Sequence, residues 1–237
     1  MGRDRREKEE ARQVVWERLK EAKVARFPFV PQRRIPNFSG AEEAARRLAD
    51  HPLFQDAQVV KINPDSPQRP LREAALRAGK TVVVPTPRLT DGFLLFDPDE
   101  IDETDYRDAS MISRWEPFAQ PIDLEDLPSP DLIVTGCVAV TYEGKRAGKG
   151  HGYSDLEYAI LRELGHPPAP VVTTVHSLQV VEDLDVDPHD LWLALIVTGE
   201  EVIEVNGSNQ GPAGINWSLL TEEDLEAMPV LRELKRG

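Results

Sequence analysis

Gly144-Lys145-Arg146-Ala147-Gly148-Lys149-Gly150-His151-Gly152-Tyr153-Ser154-Asp155 follows an apolar run, residues 131–140, and leads into a helical pattern over residues 153–164. The run Asp131-Leu132-Ile133-Val134-Thr135-Gly136-Cys137-Val138-Ala139-Val140 is the strongest strand signal in the chain. It carries few polar atoms and reads as a central strand covered on both faces. Four glycines and three cations then stand between that strand and the helix. Glycine lets the backbone approach a ligand closely and take positive φ. A helix N-terminus offers free N–H groups and partial positive charge to an anion. From composition alone, a phosphate loop and a solvated glycine-rich connector are both open readings.

The neighbouring segments set this stretch in an α/β chain. Residues 57–63 read as a short buried strand. A loop, Asn63-Pro64-Asp65-Ser66-Pro67-Gln68, follows, and then a helix near 69–78 with Leu71, Ala74, Ala75 and Leu76 inward. Gly79 caps that helix, and Thr81-Val82-Val83-Val84 is the next strand, stopped by Pro85 and Pro87. Strand, helix and strand with short links form a βαβ unit and predict a parallel sheet. Asn63 and Asp65 lie just past a strand's C-terminal end, where open α/β sheets place ligands; an Asx-type turn is the alternative.

The remaining segments are read as follows. Residues 5–24 form a helix in which Ala11, Val14, Val15 and Leu19 repeat near the 3.6-residue period. Lys8 and Arg12 share one of its faces, where solvated pairing with Glu9, Glu10 and Glu17 is the plainer expectation. Residues 26–40 are a loop holding Pro28, Pro31 and Pro36 with Arg33, Arg34 and Asn37. Ser39-Gly40-Ala41-Glu42 opens a helix to about Ala49, ended by Pro52. Phe93-Leu94-Leu95-Phe96 reads as a strand, residues 97–108 as an acidic surface loop, and residues 117–130 as a proline-spaced connector. Residues 171–175, 191–198 and 202–205 read as strands, Asn206-Gly207 as a turn, and 221–235 as one amphipathic helix.

The whole chain bounds the function. It has 237 residues, a formal net charge of −14 and a pI of about 4.8, which argues against a generic nucleic-acid binder. Only 8 of its 28 cations are lysines, a composition suited to high salt, so stability is expected to rise with KCl. No apolar run approaches the ~20 residues of a membrane span. Arg3, Asp4, Arg5, Arg6 and Glu7 replace the apolar core of a secretory signal. Cys137 is the only cysteine, which excludes an intrachain disulfide, fits a reducing cytoplasm and reads as a buried filler. No composition shift or repeat divides the chain, so one α/β domain over residues 1–237 is expected.

Four pieces in order resemble the 5-formyltetrahydrofolate cyclo-ligase (methenyltetrahydrofolate synthetase) family. They are Lys8-x-x-x-Arg12; Gly79-Lys80-Thr81-Val82-Val83-Val84-Pro85; Gly144-x-Arg146-x-Gly148-x-Gly150-x-Gly152-Tyr153-x-Asp155; and Gln179, a spacer, then His189-Asp190 and a strand ending in Thr198. The likeness covers roughly residues 5–205 and leaves 206–237 as a C-terminal extension. Arg34-Ile35-Pro36-Asn37-Phe38 and Lys61-Ile62-Asn63-Pro64-Asp65 look like the divergent branch of methenyltetrahydrofolate synthetase domain-containing proteins. The RNA-recognition module some of those carry has no counterpart motif after residue 206.

The resemblance implies a three-layer α/β/α fold with a mostly parallel sheet, and ATP with Mg²⁺. It implies that the formyl oxygen of 5-formyltetrahydrofolate takes the γ-phosphoryl group, that N10 closes the ring and that phosphate leaves, giving 5,10-methenyltetrahydrofolate. Arg146 and Lys8 are then the catalytic cations. Lys8, Arg12, Arg146, Gly148, Lys149, Gly150, His151, Gly152, Tyr153 and Asp155 form the nucleotide set, Asp155 is the Mg²⁺ ligand, and Asn63, Asp65 and Tyr153 contact the substrate. Such chemistry needs positioning and charge neutralisation more than covalent help. The family pattern Tyr-Tyr-Asp-Arg stands here as Tyr153-Ser154-Asp155-Leu156, and a frequent glutamate is replaced by Asn63. The carboxylate contact to folate is therefore either missing or moved to Asp65. These departures leave two alternatives: an ATP-dependent enzyme acting on another heterocycle, an area including thiamine metabolism with which the branch has been associated, or a non-catalytic nucleotide or folate sensor. The expected partner is a small molecule, with no nucleic acid or membrane.

Overall fold

The computed structural model describes residues 2–29, 32–206 and 211–236. Among these residues, ten strands run in chain order: β1 (Val59–Ile62), β2 (Thr81–Pro85), β3 (Phe93–Phe96), β4 (Gln120–Ile122), β5 (Leu132–Val134), β6 (Ala139–Val140), β7 (Arg146–Ala147), β8 (Val171–Thr174), β9 (Leu195–Val197) and β10 (Val202–Glu204). The helices are α1 (Gly2–Glu21), α2 (Ala41–Ala49), α3 (Pro52–Gln55), α4 (Arg69–Arg77), α5 (Tyr106–Ala109), α6 (Tyr153–Glu163), α7 (Glu222–Ala227) and α8 (Pro229–Arg236).

Eight strands form one sheet in the order β10-β9-β8-β5-β1-β2-β3-β4. Its centre, β9 through β2, is parallel, and β10, β3 and β4 add antiparallel edges. Strand alternation sorts side chains to two faces. Val60, Ile62, Val82 and Val84 pack with Ala45, Leu48, Leu71 and Ala75 of α2 and α4. Val83, Ile133 and Ile196 pack with Tyr158, Ile160 and Leu161 of α6 and with Leu225 and Leu231 of α7 and α8. This is the expected three-layer α/β/α architecture. The extension after residue 206 closes the second core rather than trailing from it. Helix α1 instead packs Val15, Trp16 and Leu19 against Val138, Ala139 and Ala147 of the small β6–β7 sheet.

Several elements differ from expectation. The apolar run 131–140 is not one strand. β5 ends at Val134, and the chain bends away to β6, which pairs with β7. The bend is close-packed: a Cβ on Gly136 would lie 2.8 Å from Asp65 Oδ2 and 3.0 Å from Ile35 Cγ1. The Gln179 side chain donates to the Cys137 and Val138 carbonyls at 2.9 and 3.1 Å, standing in for lost ladder bonds. The run's apolarity encoded burial, not pairing. Cys137 sits in this bend, and burial pushes its thiol pKa up, as befits an inert filler.

Residues 191–194 run outside β9, and β4 lies inside the stretch read as connector. The acidic run holds short helical turns, two of them capped by Asp97 and Asp102, and α5. Pro229 divides the C-terminal helix into α7, which starts with a Thr221/Asp224 capping box, and α8. Pro31 and Gly207 lie outside the described residues.

Candidate active site at the sheet's switch point

From β1 the chain crosses through α4 to β2 on one side, and β5 and β8 later fill the other. The C-terminal ends of β1 and β5 therefore mark the topological switch, where a crevice opens in such sheets. The loop after β1 is held from below. Asn63 N donates to Val134 O at 3.0 Å. The buried Arg72 guanidinium donates to the Asn63 and Asp65 carbonyls at 2.5 and 3.2 Å.

The glycine-rich stretch is a hairpin and then a loop, not one phosphate loop. Gly144 closes the β6–β7 turn at φ +85°, and a Cβ there would meet Leu193 O at 2.5 Å. Arg146 sits in β7 with its side chain inward, only 4% exposed. Residues 148–152 form the loop, and Gly152, at φ +71°, starts α6 with no side-chain cap on its first N–H groups. Arg146 Nη2 donates to Asp155 Oδ1 at 2.6 Å, and the same oxygen accepts from Leu191 N at 2.9 Å. Burial works against the guanidinium's charge, but Asp155 outweighs it, so its pKa lies above the ordinary value. Its Nε and Nη1 are buried with no hydrogen-bond acceptor in good geometry among the described residues, although the Cys137 thiol lies close enough to interact with the guanidinium. Two orphaned cationic donors are costly unless a ligand uses them.

Helix α1 brings Lys8 and Arg12 to this loop, and both are buried, against the solvated expectation. Arg12 Nε donates to Gly148 O at 2.6 Å and Nη1 to Glu9 Oε2 at 3.0 Å. A Cβ on Gly150 would lie 3.4 Å from the Arg12 guanidinium. Lys8 Nζ lies 2.5 Å from Asp190 Oδ2 and 3.8 Å from Asp187. Asp187, His189 and Asp190 hold their ligand atoms within 4.8 Å of one another. This is a richer donor set for a hard cation than Asp155 alone, one of whose oxygens is already engaged.

Two cavities of ≈ 650 Å³ each meet here. The first is lined by Asn63, Asp65, Ser154 and Glu157. The second is lined by Lys8, Arg12, His189 and Asp190, with Asn216 and Met228 from the C-terminal extension. Arg146, Gly148, Lys149, His151, Gly152, Tyr153 and Asp155 border both, and Gly150 faces the second. Lys149 reaches across to Asp65 at 3.0 Å, and the His151 ring lies 5.7 Å from that of Tyr153. Every residue assigned from the resemblance to the nucleotide, metal or substrate set lines one cavity or the shared wall.

One group was missed. Lys61 projects from β1 toward α6, fully buried, and ion-pairs with Glu157. Lys61 Nζ also donates to Asn63 Oδ1 at 2.7 Å, and Asn63 Nδ2 donates to Ser154 Oγ at 3.1 Å. The two departures, Asn63 and Ser154, therefore bond to each other. Asp65, one expected carrier of the displaced carboxylate, is occupied by Lys149, and the carboxylate open to this cavity includes Glu157 of α6. A lysine inside the apolar strand Val59–Ile62 was the available signal, because a buried charge needs a partner.

A switch-point crevice split by a buried arginine and a glycine turn defines the class: an α/β protein in which two cavities meet over one cationic wall. The chain belongs to the 5-formyltetrahydrofolate cyclo-ligase family, whose sequence model matches residues 4–199. It is similar to the methenyltetrahydrofolate synthase domain-containing proteins of Mus musculus (39% identity) and Homo sapiens (36%). Each match covers 96% of this chain and 63% or 61% of the relative, so the chain spans less than two thirds of their length. The 5-formyltetrahydrofolate cyclo-ligase of Escherichia coli (strain K12) is 29% identical over 69% of this chain and 90% of its own. Among solved structures, the Aquifex aeolicus 5,10-methenyltetrahydrofolate synthetase shares the fold. Its TM-score is 0.54 at 20% identity, over 86% of this chain and 96% of the other.

Proposed function

We propose that the protein converts 5-formyltetrahydrofolate to 5,10-methenyltetrahydrofolate with ATP and Mg²⁺. The observation that carries this reading is the wall shared by the two cavities, where Arg146 keeps Nε and Nη1 without a hydrogen-bond acceptor among the described residues. A reaction that passes a phosphoryl group between two bound molecules needs a cation at their junction.

The nucleotide belongs in the Lys8/Arg12 cavity, where those cations and the uncapped N–H groups of α6 neutralise and orient phosphates. Asp155, with Asp187, His189 and Asp190 nearby, fits Mg²⁺, which when bound neutralises phosphate charge. The folate belongs against Asn63, Ser154 and Tyr153. Arg146 then faces the group in transfer while Asp155 fixes its orientation. The formyl oxygen attacks the γ-phosphorus as its bond to ADP breaks, N10 adds to the formyl carbon and gives up its proton, and the C–O bond breaks as phosphate departs to leave the methenyl bridge. The single cysteine fits a reducing, cytoplasmic setting. Among the described residues no helix is long and apolar enough to cross a membrane.

Purified protein incubated with 5-formyltetrahydrofolate, ATP and Mg²⁺ is expected to build the methenyl absorbance band. A folded preparation that binds both ligands and produces no band would overturn the reading. The rebuilt Lys61–Glu157–Asn63–Ser154 wall favours one second reading, an ATP-dependent enzyme on a different heterocycle. Calorimetry showing ATP binding without folate binding would select it.

A further inference from the structure

The buried Lys61–Glu157 pair has a use beyond the phosphate chemistry. Lysine only donates, so Asn63 turns Oδ1 toward Lys61 and Nδ2 toward Ser154. Ser154 Oγ accepts that bond, and its own proton has no acceptor among the described residues. Glu157 uses Oε2 for Lys61, while Oε1 makes no hydrogen bond among the described residues. Both residues line the crevice, and they are three apart on α6, hence neighbours on one helical face. The result is a fixed acceptor beside a fixed donor, both fed by a buried cation.

Such a pair is poorly explained by stability. A buried ion pair often contributes nothing net relative to apolar residues of the same volume. Burial pushes the Glu157 pKa up, and Lys61 opposes that shift. Holding a carboxylate in this way makes sense if its open oxygen meets a ligand.

We propose that Glu157 Oε1 and the Ser154 hydroxyl form a recognition subsite for the edge of a planar nitrogen heterocycle that carries an exocyclic amino donor beside a ring-nitrogen acceptor. The inference deepens the proposed reaction and rests on it for the identity of the heterocycle, since the pterin ring of a reduced folate presents such an edge. Asn63 and Lys61 are positioning residues. Lys61 holds Glu157, and Asn63 holds the Ser154 hydroxyl.

The test is calorimetry on the full chain with two probes. One is pterin, which carries the amino donor, and the other is lumazine, in which a carbonyl replaces it. Wild type is expected to bind pterin about tenfold more tightly than lumazine, the effect of one charge-assisted bond. Ser154→Ala and Glu157→Gln should each weaken pterin by about tenfold and leave ADP affinity within about twofold. Ser154→Ala removes only a hydroxyl, so it keeps the test open if Glu157→Gln misfolds. Equal binding of the two probes, or unchanged pterin affinity in both variants, overturns the subsite. Pterin binding that follows the predicted pattern without methenyl product would support the subsite while sinking the proposed reaction.

Discussion

The two cavities share a wall but are built by different means. The Lys8/Arg12 side uses backbone and point charge: glycines at positive φ, a helix start, and cations from α1. The Asn63/Ser154 side uses a chain of oriented side-chain bonds, Lys61 to Glu157 and Asn63 to Ser154, with few free orientations left. Under the proposed function, one side reads charge and the other reads a hydrogen-bond pattern. Phosphate binding can therefore be retained while the partner molecule changes, because the elements that set each are separate side chains on opposite sides of Arg146.

That division can be broken experimentally. The largest effect belongs to Lys8→Ala. It removes a buried cation from Asp190 and is expected to weaken ATP by roughly 1.5–3 kcal/mol, with pterin affinity unchanged in calorimetry. An equal loss for both ligands would show that the cavities are not separate readers.

Gly144→Ala comes next. Its φ of +85° and the 2.5 Å approach to Leu193 O predict a cost of roughly 1–3 kcal/mol in denaturant unfolding. Gly152→Ala, at φ +71° with open space around it, should cost only about 1–2 kcal/mol. The reverse order would mean that the hairpin does not set the loop.

The smallest effect is on pH. Burial lowers the pKa of His176, whose Nδ1 accepts the Leu178 N–H at 3.1 Å, and of His166. Both then bind protons more readily unfolded than folded. Stability is thus present above the unfolded value of 6.5 and is lost as pH falls from 6.5 through the folded values. The thermal midpoint should drop on acidification through that range, and by less in His176→Asn, which keeps a side-chain acceptor without the titration. A midpoint that does not move would contradict it.

The parallel strands and the glycine–cation cluster after β6 were legible because their signals are local: apolar runs, period-3.6 patterns, proline stops, and glycines beside cations. Lys8 and Arg12 could be linked to the loop only through the ordered likeness to a family, since nothing in spacing says that α1 packs on the β6–β7 hairpin. The break after Val134 was invisible because burial by α1 and burial within a sheet demand the same apolar residues. The Lys61–Glu157 pair was missed for a related reason. The partners are 96 residues apart, and each looks ordinary in its own element. Pro229 was a local signal, a proline inside an amphipathic pattern, that reading 221–235 as one helix passed over.

In the proposed reaction Arg146 serves both ligands with Nε and Nη1 while Nη2 holds Asp155. Arg146→Lys keeps one bond to Asp155 and removes the fork. Calorimetry of this variant with ATP and, separately, with 5-formyltetrahydrofolate tests the claim directly. A thermal midpoint near wild type and a loss of about tenfold for each ligand is the predicted result. Wild-type affinity for both, or a loss confined to one, would contradict a shared wall.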